Sequence, residues 1–325
     1  MTELSLEVKD LKSYYFLPTG TVIKAVDGVT FEIAEAGALG IIGESGSGKS
    51  TVAWSIMRFM PFPGKTVGGQ VLFEGQNILE LDSEGMRKIR WKKIAMVTQS
   101  AMSAFDPLMK MGDQILEAIL LQEGVPESQA LEQAQKTFEE VGLDPSRFKS
   151  YPHEMSGGMK QRAMIAMALA CRPAVIIADE PTTALDVIVQ AQILKLLQEL
   201  KNRTKSLSIL FISHDLSIVA ALCDKILVMY AGKMMELAET RSLVTNPLHP
   251  YTSELVNSCP RIEKREMSFE SIPGNPPDMT DLPAGCPFHP RCKYAIKICR
   301  ERNPEWLEVR RGHFVACHLV ERARE

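Results

Sequence analysis

The chain has 325 residues, 45% hydrophobic and 24% charged, which suits a folded protein of one large domain and a smaller one. Its 37 basic and 40 acidic residues leave a net charge of −3, which argues against nucleic acid as the main partner. No basic-then-apolar leader opens the sequence, and no apolar run approaches the roughly 18 residues that cross a bilayer, so any membrane role is expected to pass through a partner.

"LSLEVKDL" (4–11) and "TVIKAVDGVTFEI" (21–33) alternate apolar and polar residues, as half-buried antiparallel strands do. "GALGII" (37–42) is an apolar run that suits a fully buried strand, and "STVAWSIMRFM" (50–60) has helical spacing. "GGQVLFEGQN" (68–77) reads as another hairpin strand. Residues 112–142 read as two helices parted near "EGVPESQA", with Pro126 just inside the second start. An Ala/Met-rich helix is expected over "SGGMKQRAMIAMALAC" (156–171). "AVIIAD" (174–179) and "SILFIS" (208–213) are buried-strand runs, with the helical "ALDVIVQAQILKLLQELKNR" between them. This alternation implies a mainly parallel sheet covered on both faces. Past "NPLHPYT" (246–252) prolines and glycines become dense and the alternation stops, so a domain boundary is expected between 240 and 260.

"GESGSGKS", Gly43 to Ser50, fits G-x-x-x-x-G-K-[ST] between an apolar strand and a helix, the context a phosphate loop requires. Glycines let the backbone wrap phosphates, Lys49 reaches β/γ oxygens, Ser50 ligates Mg²⁺ and Thr51 continues the helix start. "AVIIADE" ends a buried strand in Asp179, placed for the Mg²⁺ shell, and then Glu180. Successive side chains at a strand end diverge, so Glu180 can face a water beside the γ-phosphate as general base. His214, after "SILFIS", reads in this company as a γ-phosphate contact. Gln99, after "IAMVT", is placed to reach Mg²⁺ or the attacking water. "MSGGMKQR" (155–162) sets Ser156, Gly157 and Gly158 at a helix start, a second anion site by its unpartnered N–H groups and dipole.

The chain has seven cysteines. Cys171, Cys223 and Cys259 are scattered, whereas Cys286, Cys292, Cys299 and Cys317 crowd the end with spacing C-x5-C-x6-C-x17-C. Without an export signal such a cluster points to metal before disulfides. Four thiolates can close a tetrahedral Zn²⁺ site or hold an iron–sulfur cluster, with His289, His313 and His318 near enough in sequence to replace a cysteine at zinc. A Pro-rich tail with little apolar content needs such a staple, so the expected role is structural.

Taken in order, these segments resemble the ATP-binding cassette (ABC) family over roughly residues 5–245. The parts are the Walker A loop 43–50, the Q-loop Gln99, the signature segment, the Walker B strand 175–179 with Glu180, the D-loop "TALD", and the switch histidine His214. The signature carries Met155 and Met159 where L-S-G-G-Q is common, with Ser156-Gly157-Gly158 intact. The resemblance implies an α/β fold: a P-loop ABC-type nucleotide-binding domain with a mainly parallel core sheet, an antiparallel β subdomain and a helical subdomain near 100–172. That domain would span 1–250, with a cysteine-rich extension over 251–325.

It further implies a head-to-tail pair of ATPase subunits, in which Ser156, Gly157, Gly158 and Asp186 serve the ATP held by the partner's loop. In each subunit Gly43, Glu44, Ser45, Gly46, Ser47, Gly48, Lys49, Ser50, Thr51 and Asp179 would bind ATP, with Mg²⁺ on Ser50, Gln99 and Asp179 and catalysis by Glu180, His214 and Gln99. An aromatic from "LKSYYFLP" would stack on adenine, and Tyr15 is favoured over Tyr14 and Phe16.

Within the family, the segment 155–194, "NPLHPYTSELVNSCPR" and "CPFHPRC" are similar to the ATPases of dipeptide, oligopeptide and nickel importers. That similarity implies ATP hydrolysis coupled to peptide uptake, on the cytoplasmic face of the membrane. The partners would be a related second ATPase, two permease subunits and, indirectly, an external solute-binding protein. It also implies a [4Fe–4S] cluster on the four tail cysteines, with Zn²⁺ the alternative and free thiols the third reading. Nickel or a short oligosaccharide stays open as cargo. A soluble ABC ATPase acting on nucleic acid or ribosomes is the remote alternative, because the chain has one cassette and no heptad run.

Overall fold

The computed structural model describes residues 4–99, 104–183, 185–204, 206–258 and 272–322. The chain falls into two compact units, each assembled from separated stretches.

One unit comprises residues 1–6, 33–37 and 80–210. Its two central helices are Met111–Glu123 and Glu127–Glu140. Gly124 ends the first in a left-handed turn (φ 63°), a conformation that costs glycine little, and Pro126 caps the second from outside its first turn. Met111, Ile115 and Ile119 form the buried stripe of one helix, and Ala130, Ala134 and Phe138 that of the other. The helices Gly157–Leu169 and Val187–Arg203 follow, the latter burying Ile193, Leu196, Leu197 and Leu200 along one face. Strand Val175–Asp179 is buried at all five positions and runs parallel to Ile94–Val97, from Ile94 opposite Val175 to Val97 opposite Ala178. A strand buried on both faces explains why "VIIAD" lacks alternation.

The other unit comprises Glu7–Glu32, Ala38–Leu79 and Phe211–Glu325. Most of a four-stranded sheet belongs to it, in the order Val22–Ala34, Leu4–Phe16, Gly64–Phe73, Gln76–Asn77. The first strand runs on through "KSYYF", five residues past the alternating run. Strand Ala38–Ile42 is fully buried and parallel to Lys225–Tyr230, which pairs antiparallel with Lys233–Glu239. The helix after the phosphate loop is Lys49–Ile56, shorter than its spacing suggested, because Arg58 turns left-handed (φ 51°) just beyond its cap at Met57. Residues past 250 are woven into this unit: His313–Val315 pairs antiparallel with Lys233–Glu239, and Leu307–Arg310 pairs with His313–Val315. Among the described residues no helix is long and apolar enough to cross a membrane.

Candidate nucleotide site

The phosphate loop leaves the buried strand Ala38–Ile42 and enters the helix at Lys49. Gly43 and Gly48 are the positions where only glycine fits. At Gly48 (φ 99°) a Cβ would stand 2.0 Å from the Ala25 carbonyl oxygen, and at Gly43 it would stand 2.2 Å from the Met229 carbonyl oxygen. Lys49 is 5% exposed, and its Nζ donates to the carbonyls of Gly43 (2.8 Å) and Glu44 (2.9 Å). The Ser47 hydroxyl is buried and makes no hydrogen bond among the described residues. An orphaned hydroxyl beside a buried ammonium fits an anionic ligand that supplies the missing acceptors. Ser50 is half-buried and Thr51 buried, while Ser45 and Gly46 are exposed at the loop's tip.

Glu44 behaves differently from its neighbours. Its backbone N–H donates to the Tyr251 hydroxyl (2.9 Å), and its carboxylate accepts two bonds from Arg291, Nη1 at 2.6 Å and Nη2 at 2.9 Å. The motif marked this residue as part of the loop but gave no sign of either partner, 207 and 247 residues away.

Tyr251 belongs to "HPY", and the fold shows what that motif does. Glu236 is fully buried on strand Lys233–Glu239, where its carboxylate accepts from the amides of Leu248 (2.8 Å) and His249 (2.9 Å) and contacts His313 Nε2 at 2.7 Å. Burial drives the His249 pKa down to about 4, against the opposing charge of Glu236. The ring is therefore neutral at pH 7, and its Nδ1 accepts from the Tyr251 amide (3.0 Å). Pro250 opens the helix Pro250–Ser258, a position that needs no N–H donor. The motif thus carries a chain of contacts from a buried carboxylate to the phosphate loop.

In the same unit His214 follows strand Ser208–Ser213 and is exposed. Tyr15 is half-buried with its ring edge over Gly64, whereas Tyr14 donates to Asp27 at 2.7 Å. Tyr14 is thereby engaged within the β unit.

The other unit carries the second set. Asp179 closes its strand 98% buried, and Glu180 follows with φ 45°, a left-handed conformation that costs a non-glycine residue. Glu180 Oε2 accepts from Thr183 Oγ1 (2.8 Å) and Gln99 Nε2 (3.1 Å), so two of the expected residues meet directly. Ser156 caps the helix Gly157–Leu169, its hydroxyl accepting from the Met159 amide at 3.3 Å. Its side chain is exposed, with the O–H as a donor in hand. A Cβ on Gly158 would stand 2.7 Å from Val189 Cγ1, so that glycine also lets two helices approach. Asp186 caps the next helix through the Val189 amide (2.9 Å), and the two residues after it, Val187 and Ile188, are 80% and 72% exposed.

In the tail Cys286, Cys299 and Cys317 are buried and Cys292 half-buried, all as free thiols. Cys259 lies outside the described residues. Burial pushes the Cys286 thiol up to about 12 and that of Cys317 to about 11. Burial pushes the Cys292 thiol in the same direction. Among the described residues, however, no three His, Cys, Asp or Glu groups stand as the ligands of a metal ion. The histidines considered as zinc ligands are engaged elsewhere: His289 with the Cys286 carbonyl, His313 with Glu236, and His318 with Glu321 and the Arg302 carbonyl. Four cysteines are the residue types that a thiolate-held group takes.

A phosphate loop, a buried strand-end aspartate and a strained, hydrogen-bonded glutamate after it define a nucleotide-hydrolysing P-loop protein. Residues 26–183 match the model of the ABC transporter family, and residues 235–299 match that of the oligopeptide/dipeptide transporter C-terminal region. The chain is similar to the probable peptide ABC transporter ATP-binding protein y4tR of Sinorhizobium fredii, 46% identical over 97% of this chain and 95% of that one. It is similar also to the oligopeptide transport ATP-binding protein OppD of Salmonella typhimurium, at 45% over 92% of this chain and 89% of that one. The dimeric structure of the bacterial ABC transporter cassette MJ0796 overlays with a TM-score of 0.64 and 28% identity, over 73% of this chain and 99% of that chain. The chain belongs to the ABC transporter family, in the branch carrying the oligopeptide/dipeptide C-terminal region. It is an ATP-binding protein and an ATPase.

Proposed function

We propose that the chain is the ATP-hydrolysing subunit of an importer, coupling ATP turnover at a two-subunit interface to uptake of dipeptides or oligopeptides. Residues 1–250 form the catalytic module and 251–325 the extension that marks the peptide branch. The observation that carries the reading is Glu180, strained at φ 45° beyond Asp179 and held by both Gln99 and Thr183. Strain of this kind persists where function requires a fixed carboxylate. Glu180 takes the proton of the attacking water, Gln99 orients it, and His214 contacts the γ-phosphate. Lys49 and the loop from Gly43 to Thr51 hold the phosphates, and Tyr15 stacks on adenine. Ser50, Gln99 and Asp179 would hold Mg²⁺, which would supply positive charge at the phosphates.

Ser156, Gly157, Gly158 and Asp186 serve the nucleotide of a second ATPase subunit, most simply a related chain. The apolar pair Val187 and Ile188, exposed beside the Asp186 cap, supports an interface there. Two permeases and an external solute-binding protein complete the assembly, with this chain peripheral on the cytoplasmic face. Relatives named for oligopeptide and dipeptide transport support peptide cargo. Uptake of labelled dipeptide, hexapeptide and nickel by a deletion strain is the test. Wild-type chain should restore peptide uptake and Lys49→Ala should not; restoration of nickel uptake alone would overturn the cargo.

Cys286, Cys292, Cys299 and Cys317 would hold a [4Fe–4S] cluster in this reading, supported by their number and by their being free thiols. These cysteines would then staple the tail, with no part in hydrolysis. Anaerobically purified chain should carry about four irons and four sulfides per molecule, and iron-free, zinc-loaded protein would reverse the assignment.

A further inference from the structure

A glutamate at the second position of a phosphate loop is unfavourable on its own. It sets a negative charge beside a site built for a polyanion, in a loop whose glycines let the ligand come close. The tail supplies the compensation. Arg291 is 9% exposed and grips the Glu44 carboxylate with two parallel bonds of 2.6 and 2.9 Å. The guanidinium is itself fixed by the Pro273 carbonyl (2.8 Å to Nε) and the Tyr230 hydroxyl (3.1 Å to Nη1), with the Tyr230 and Phe288 rings beside it. The Tyr251 hydroxyl accepts from the Glu44 backbone N–H (2.9 Å). The Glu44 carbonyl in turn accepts from the Lys49 ammonium (2.9 Å).

We propose that Arg291 is a positioning residue for nucleotide binding: it neutralises and anchors Glu44, and through Glu44 sets the phosphate loop and Lys49. The C-terminal extension thereby acts on ATP affinity and not only on the assembly of the tail. Arg291 touches no nucleotide in this scheme, and its effect passes through one carboxylate. It lies between Cys286 and Cys292 in sequence, so the segment that bears two of the tail thiols also delivers the cation. The inference rests on the reading of the loop as an ATP site.

The test is the dissociation constant of the full-length chain for a non-hydrolysable MgATP analogue, read by calorimetry, with melting temperature followed in parallel. Arg291→Ala should weaken binding about tenfold, the scale of one uncompensated charge at several ångströms in a partly screened site. Arg291→Lys keeps a point charge without the bidentate fork and should weaken it about threefold. In a Glu44→Gln background, where no charge remains to be neutralised, Arg291→Ala should change the constant less than twofold. A purely structural role would lower melting temperature and leave the constant unmoved, and that result overturns the inference. So does an Arg291→Ala effect equally large in both backgrounds. Should Arg291→Ala not fold, Arg291→Lys decides, and binding at the wild-type constant rejects the role. Wild-type chain that failed to bind the analogue would remove the nucleotide reading and this inference with it; wild-type binding with unchanged variants removes this inference alone.

Discussion

Glu180→Gln is expected to lower steady-state ATP hydrolysis by about 10²- to 10⁴-fold, the range over which a positioned general base contributes. The geometry makes this substitution clean. Glu180 Oε2 receives both hydrogen bonds, from Thr183 and Gln99, and a glutamine carbonyl oxygen placed there accepts them equally well. The substitution removes the negative charge and the capacity to take a proton while keeping the acceptor for both of these bonds. The left-handed backbone at residue 180 is not altered, because glutamine meets the same steric cost as glutamate. MgATP affinity should therefore stay within about threefold while turnover collapses, the signature of an interaction used in the transition state. Phosphate release measured beside nucleotide binding checks both halves. Turnover near the wild-type rate would remove Glu180 from the base role and turn attention to His214.

Much of this site was legible because its signals are local. "GESGSGKS" between an apolar strand and a helix fixes loop chemistry within eight residues, and "VIIAD" announces a buried strand by its unbroken apolar run. The break between the two central helices was equally readable at Gly124 and Pro126, since backbone conformation there is set by the residues themselves. Long-range pairs left no such trace. Glu236 reads as one more charge in "KMMELAE", yet it is the fully buried acceptor that binds "HPY" to the sheet and meets His313, 77 residues on. His313 and His318 looked like spare metal ligands for the same reason: a histidine's partner is a matter of tertiary contact, and theirs are carboxylates. The one signal for Arg291 was indirect. An acid inside a phosphate loop is costly enough to require a cation, and a search for that cation would have reached the arginine between the tail cysteines.

Lys49→Ala is expected to weaken nucleotide binding about 10²-fold and, with it, to abolish turnover at ordinary ATP concentrations. The effect exceeds that expected at Arg291, because the lysine charge acts on the phosphates themselves. At about 4 Å and an effective dielectric near 20, one ammonium–phosphate contact is worth about 4 kcal/mol before desolvation is counted. A share of that is already offset in the unliganded loop, where the ammonium is held by the Gly43 and Glu44 carbonyls, so the net loss is smaller than the bare attraction. Alanine also strips both carbonyls of their donor in a buried place, which loosens the loop in addition to removing the charge. Lys49→Met separates the two effects. It keeps most of the buried stem and so the packing, but supplies neither charge nor donor. Equal losses in the two variants, measured as dissociation constants, assign the affinity to the ammonium. A methionine variant that bound like the wild type would show that the loop's backbone alone carries the phosphates. In that case Glu44 and its arginine would set affinity through loop shape, with no part played by the lysine they help to hold.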